Sequence, residues 1–65
     1  MEAKFRLYDF MEGKMLIGEY ETVADLRKAM KEFYADTEGD CYLVAYRKYV
    51  RNTGKIHWQE MSINF

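Results

Sequence analysis

Proline is absent from this 65-residue chain, cysteine and histidine occur once each, and 10 Lys and Arg nearly cancel 11 Asp and Glu. Each shortage removes a class of protein. A single Cys41 cannot close an intrachain disulfide, and with His57 as the sole histidine the Cys/His pairs of a structural zinc site are missing. A lone thiol, with no apolar N-terminal segment and no Asn-x-Ser/Thr acceptor, points to a reducing, cytoplasmic setting. The longest apolar run, Cys41 to Tyr46, is far too short to cross a bilayer, so no membrane partner is expected. At 65 residues there is room for one small domain and no second.

What is present argues for a folded chain. Apolar residues make up 49%, aromatics 17% and charged residues 32%, too apolar and too aromatic a mixture for a linker. A chain of 7.8 kDa is expected to expose roughly 4,400 Å² when folded, against roughly 11,000 Å² unfolded. Burial and chain ordering then oppose each other at ~100 kcal/mol apiece. Small domains commonly add a disulfide, a metal or a partner chain to such a balance. The first two are excluded here, so self-association or a protein partner is expected.

Residues 4–10 and 14–22 are rich in aromatic and β-branched side chains and flank Met11-Glu12-Gly13-Lys14, where Gly13 suits a tight turn. A hairpin follows, with two possible registers. A two-residue loop sets Arg6 opposite Glu19 and Lys4 opposite Glu21, whereas a three-residue loop sets Leu7 beside Ile17. Thr22 precedes Val23-Ala24-Asp25 as a helix cap, and Val23, Leu26, Met30 and Phe33 recur at helical spacing over about 22–36. Lys28 and Glu32 stand four apart on the opposite face, and Gly39 ends the pattern.

Residues 41–50 and 55–65 form a second hairpin, with Asn52-Thr53-Gly54 as a type I turn closed by a glycine bulge and pairs numbered to sum to 106. One face carries Cys41, Leu43, Ala45, Met61, Ile63 and Phe65 and suits the helix. The expected fold is therefore α+β: a single ββαββ domain over 1–65, one helix on a four-stranded, mainly antiparallel sheet in the order 2-1-3-4 or 1-2-4-3.

The other face of that hairpin is the feature above background. Tyr42, Tyr46, Lys48 and Trp58 sit there among Val44, Val50 and Ile56, where a leftover sheet face is ordinarily polar. Strand propensity alone also favours such residues. Charge is divided as well: residues 1–41 hold six Lys/Arg against ten Asp/Glu, and residues 42–65 hold Arg47, Lys48, Arg51 and Lys55 against Glu60 alone, net -4 against +3. Arg47, Arg51 and Lys55 mark a basic hairpin tip that, with the aromatics, could bind single-stranded nucleic acid; a pI near 5.7 and the lack of any RNP, KH or zinc-finger signature count against it.

Catalysis has little to work with. Cys41 and His57 fall about 26 Å apart in the expected register, too far for proton transfer, and Cys41 reads as a small buried residue. The acidic run Asp36 to Asp40 has Gly39 in its fourth place, where a calcium loop wants glycine at the sixth. No catalytic residue, metal or cofactor is expected. The make-up of a very short chain built hairpin, helix, hairpin resembles that of small accessory proteins of phages and mobile elements, some of which block a host protein; the likeness lies in size and layout. The expected function is non-enzymatic binding by occupancy of another protein, with single-stranded nucleic acid as the alternative. Self-association as a two-fold homodimer, through the Tyr42, Tyr46 and Trp58 face or a sheet edge, is expected beside it.

Overall fold

The computed structural model describes residues 3–63 and shows five elements in the order ββαββ: β1 (Phe5–Asp9), β2 (Met15–Tyr20), α1 (Val23–Asp36), β3 (Leu43–Val50) and β4 (Ile56–Met61). The sheet runs β2-β1-β3-β4 with every neighbouring pair antiparallel, the first of the two orders expected. Positions 64 and 65, including Phe65, lie outside the described residues; β1, β2 and β4 are shorter at both ends than the sequence pattern suggests, and β3 starts two residues later but ends at Val50 as expected.

The second hairpin pairs Ala45 with Met61 through Val50 with Ile56, every pair summing to 106. Its loop closes by Arg51 N–H donating to the Lys55 carbonyl at 3.0 Å and Gly54 N–H donating to the Arg51 carbonyl at 2.8 Å. Gly54 takes φ +82, the left-handed conformation its bulge requires. The first hairpin divides between the two candidate registers, with Arg6 opposite Glu19 as the two-residue loop requires but Leu7 opposite Gly18 instead of Ile17. Phe5, Arg6 and Leu7 face Tyr20, Glu19 and Gly18, whereas Tyr8 and Asp9 face Leu16 and Met15. Ile17 is the extra residue between the two, a bulge that lets pairs summing to 25 and pairs summing to 24 coexist in one strand.

Thr22 caps α1 as its sequence predicts, its hydroxyl accepting from Asp25 N–H at 3.1 Å. At the other end Glu38 and Gly39 both take positive φ, 55° and 81°, and Gly39 N–H donates to the Tyr34 carbonyl at 2.8 Å, satisfying one of the last orphan acceptors. Leu26 and Met30 are the helix residues that are buried; they join Phe5, Leu7 and Ala45, with Ile17, Leu43, Met61 and Ile63 packed around them. The face carrying Leu43, Ala45, Met61 and Ile63 is thus the one that meets the helix. Val23 departs from the expected stripe, remaining 37% exposed in the first turn beyond the buried pair. Lys28 and Glu32 form no ion pair within 4 Å among the described residues; both are exposed, and holding two long side chains together costs more entropy than water-screened attraction returns. Cys41 is half-buried instead of buried, because it precedes β3 at the margin of the core.

Candidate functional site: the uncovered sheet face

Alternation along β1 sends Phe5, Leu7 and Asp9 to the helix and Arg6 and Tyr8 to the other side. Cross-strand register does the same for β3 and β4, placing Tyr46 opposite both Arg6 and Glu60, Val44 opposite Tyr8, and Lys48 opposite Trp58. One sheet face therefore gathers Arg6, Tyr8, Val44, Tyr46, Lys48 and Trp58 with no helix over it. Phe10 and Tyr42 continue it past the end of β1, linked by Phe10 N–H donating to the Tyr42 carbonyl at 2.9 Å.

These side chains are organised. Tyr8 meets Tyr46 edge-to-face at 5.4 Å and Phe10 at 6.1 Å, and Phe10 stacks on Tyr42 at 6.4 Å. Val44 is only 6% exposed although it points away from the helix, so this row of rings forms a small second core. Cations lie on the rings: the Arg6 guanidinium is 4.0 Å from the Trp58 ring, and Lys14 Nζ is 4.7 Å from Tyr8 and 5.7 Å from Tyr46. Arg6 Nε also faces Glu19 at 3.8 Å, the ion pair the two-residue register implied. Carboxylates stand at the margins, Glu19 on β2 and Glu60 on β4, while the cations Arg6 and Lys48 occupy the central strands.

Of the residues singled out in the sequence, Tyr42, Tyr46, Lys48 and Trp58 do share this face, and Tyr42 is its most exposed ring at 62%. Arg47 points to the opposite face, as Phe5 does across from it, and is exposed beyond the helix. Arg51 and Lys55 sit at the exposed hairpin tip. The contributions of Arg6, Tyr8, Phe10 and Lys14 depend on β1 being a central strand beside β3, which no local sequence pattern states. The alternation of β1, with Asp9 on the buried side, was the available signal.

Elsewhere the chemistry stays dispersed. His57 is exposed and pairs with Tyr49, which lies eight residues of chain, about 26 Å of strand, from Cys41. Among the described residues no three His, Cys, Asp or Glu side chains converge as metal ligands would, and no helix is long and apolar enough to cross a membrane. Shallow open grooves of about 350 Å³ lie by the first turn, lined by Asp9, Met11 and Asp40, and beside Lys4, Arg47 and Val50. Burial raises the Tyr20 hydroxyl above the usual phenol value, and the Glu32 carboxylate adds to the rise. Compared with known proteins, the chain matches no family model, no curated protein and no solved structure.

Proposed function

We propose that this chain is a non-enzymatic binding module that acts by occupying another protein through its uncovered aromatic face, in the manner of a small accessory or inhibitor protein. The observation that carries the reading is the set of cation-covered rings: Arg6 on Trp58, and Lys14 over Tyr8 and Tyr46. Tyr, Trp and Arg are the side chains that dominate protein hot spots, and here they are held in place before any partner arrives, which lowers the ordering cost of binding. A nucleic-acid base would need those ring faces and would have to displace the cations, each worth about 0.5–2 kcal/mol.

The partner is read as a different protein instead of a second copy laid face to face. Two-fold packing centred on the Arg6–Tyr46 row offers two axes. One across the strands sets Arg6 over Arg6, and one along them sets Glu19 over Glu60; both oppose like charges. A foreign surface that meets the central cations with carboxylates and the rings with apolar groups has no such conflict.

The test is affinity capture from the source cell, with and without nuclease, by wild type, Tyr42→Ala/Tyr46→Ala and Arg51→Ala/Lys55→Ala. One protein, retained after nuclease and lost with the tyrosine pair alone, supports the proposal. Nuclease-sensitive recovery lost with the basic pair, and an affinity falling by about 0.7 log units per log unit of salt for each phosphate contacted, would replace it with single-stranded nucleic acid.

A further inference from the structure

We infer that the free edge of β4 is a self-association surface, on which a second copy pairs antiparallel to extend the sheet across a two-fold axis. The inference concerns backbone edges and does not depend on what occupies the aromatic face. The sheet order leaves two edges, β2 and β4. They are not equivalent. β2 is interrupted by the Ile17 bulge, a feature that natural edges use to prevent strand addition, whereas β4 runs in unbroken register from Ile56 to Met61. Neither proline nor lysine interrupts those six residues.

The hydrogen-bond pattern shows which groups that edge offers. Arg51 donates to Lys55, and hydrogen-bonded pairs alternate along an antiparallel ladder, so Lys55, His57, Gln59 and Met61 turn their backbone toward β3. Lys48 N–H accordingly turns the other way, donating to the Lys4 carbonyl at 2.8 Å. The N–H and C=O groups of Ile56, Trp58 and Glu60 therefore point outward together, a ready template for another strand.

Charge selects a second copy. Around β4 the cations Arg51 and Lys55 lie at one end and Glu60 at the other, within a chain whose residues 1–41 carry net -4 and residues 42–65 net +3. Antiparallel pairing about a two-fold near Trp58 lays the basic tip of each copy beside the acidic body of the other, using the complementarity twice. The shape agrees. The tip of the β3–β4 hairpin reaches past β1 with Val50 and Ile56 57% and 55% exposed, and the radius of gyration is 12.3 Å, where a compact chain of this length gives about 11 Å. A two-stranded ribbon is marginal in water; pairing makes it the middle of a wider sheet.

Sedimentation equilibrium of the wild-type chain at tens of micromolar is expected to give twice 7.8 kDa. Ile56→Pro removes an outward N–H and leaves the β3–β4 bonds intact, so it should yield a monomer of unchanged helical circular dichroism. Glu60→Lys should weaken association about tenfold by setting a cation beside the partner's tip. In the wild type, exchange at the amides of residues 56, 58 and 60 should slow as concentration rises, a readout that does not require either variant to fold. A wild-type monomer at these concentrations, a dimer that survives in folded Ile56→Pro, or exchange at those three amides that is indifferent to concentration would each overturn the inference.

Discussion

The carboxylate of Asp9 holds the backbone of Tyr42, 33 residues away: Oδ1 accepts from the Tyr42 N–H at 3.1 Å and from the Met11 N–H at 2.9 Å. One buried side chain thus ties the end of β1 to its own turn and to the entry of β3. Replacement by alanine leaves two amides without their acceptor and should cost about 1–3 kcal/mol in urea unfolding. Asp9→Asn keeps one carbonyl oxygen in place and should lose less than half as much. Equal losses for both would mean that the charge, not the acceptor geometry, is what matters.

The end of α1 stores backbone conformations that side chains dislike. Gly39 has φ +81, and a Cβ there would lie 3.1 Å from the Tyr34 hydroxyl oxygen. Gly39→Ala should destabilise by about 1–2 kcal/mol, whereas Glu38→Gly, at φ 55, should be neutral or stabilising within about 1 kcal/mol. Thermal unfolding of the pair separates a conformational origin from simple loss of side-chain contacts, which predicts the opposite ranking.

Much of this architecture is legible locally because turns and caps are local. Asn52-Thr53-Gly54 sets the second hairpin, and Thr22 with Leu26 and Met30 sets the helix. The first hairpin offers two registers, one for a two-residue and one for a three-residue loop, and the strand divides between their pairings at the Ile17 bulge. The face as a whole is different. Tyr8 and Phe10 meet Tyr46 and Tyr42 only through the pairing of β1 with β3, strands separated in sequence by the intervening helix. Lys14 reaches those rings from a loop, and nothing in its immediate sequence distinguishes it from an ordinary solvated lysine.

Tyr20 gives the chain an alkaline limit. Its ring lies over Gly18, where an added Cβ would come 2.9 Å from ring carbon Cζ, and burial, then Glu32, holds its hydroxyl above the usual value of 10.0. The folded state therefore disfavours ionisation more than the unfolded chain does. The stability this represents is fully present below about pH 10 and is lost as pH rises through the higher folded value. Unfolding midpoints of wild type should fall above pH 10 more steeply than those of Tyr20→Phe, while below pH 9 the two profiles should run parallel. Identical slopes above pH 10 would show that the hydroxyl is as well solvated folded as unfolded.

Arg6 lies where the uncovered face is most constrained, its guanidinium 4.0 Å from the Trp58 ring and its Nε shielded from water without a hydrogen-bond partner, 3.8 Å from Glu19. A shielded donor of this kind is tolerable only while the cation gains elsewhere, and the ring and the carboxylate are the two sources at hand. If the ring supplies part of that gain, Arg6→Met and Trp58→Leu should be non-additive, with a coupling of about 0.5–1 kcal/mol in a double-mutant cycle. The same cycle on Arg6→Met and Glu19→Gln should give less, because the 3.8 Å pair is partly exposed and salt-screened. Indole fluorescence provides the second measurement: Arg6→Met should alter the Trp58 emission in the folded state, and high salt should not. Additive losses with an unchanged emission would mean that the cation merely passes the ring, and the case for a face organised in advance of its partner would then rest on the Tyr8, Tyr46 and Phe10 rings alone.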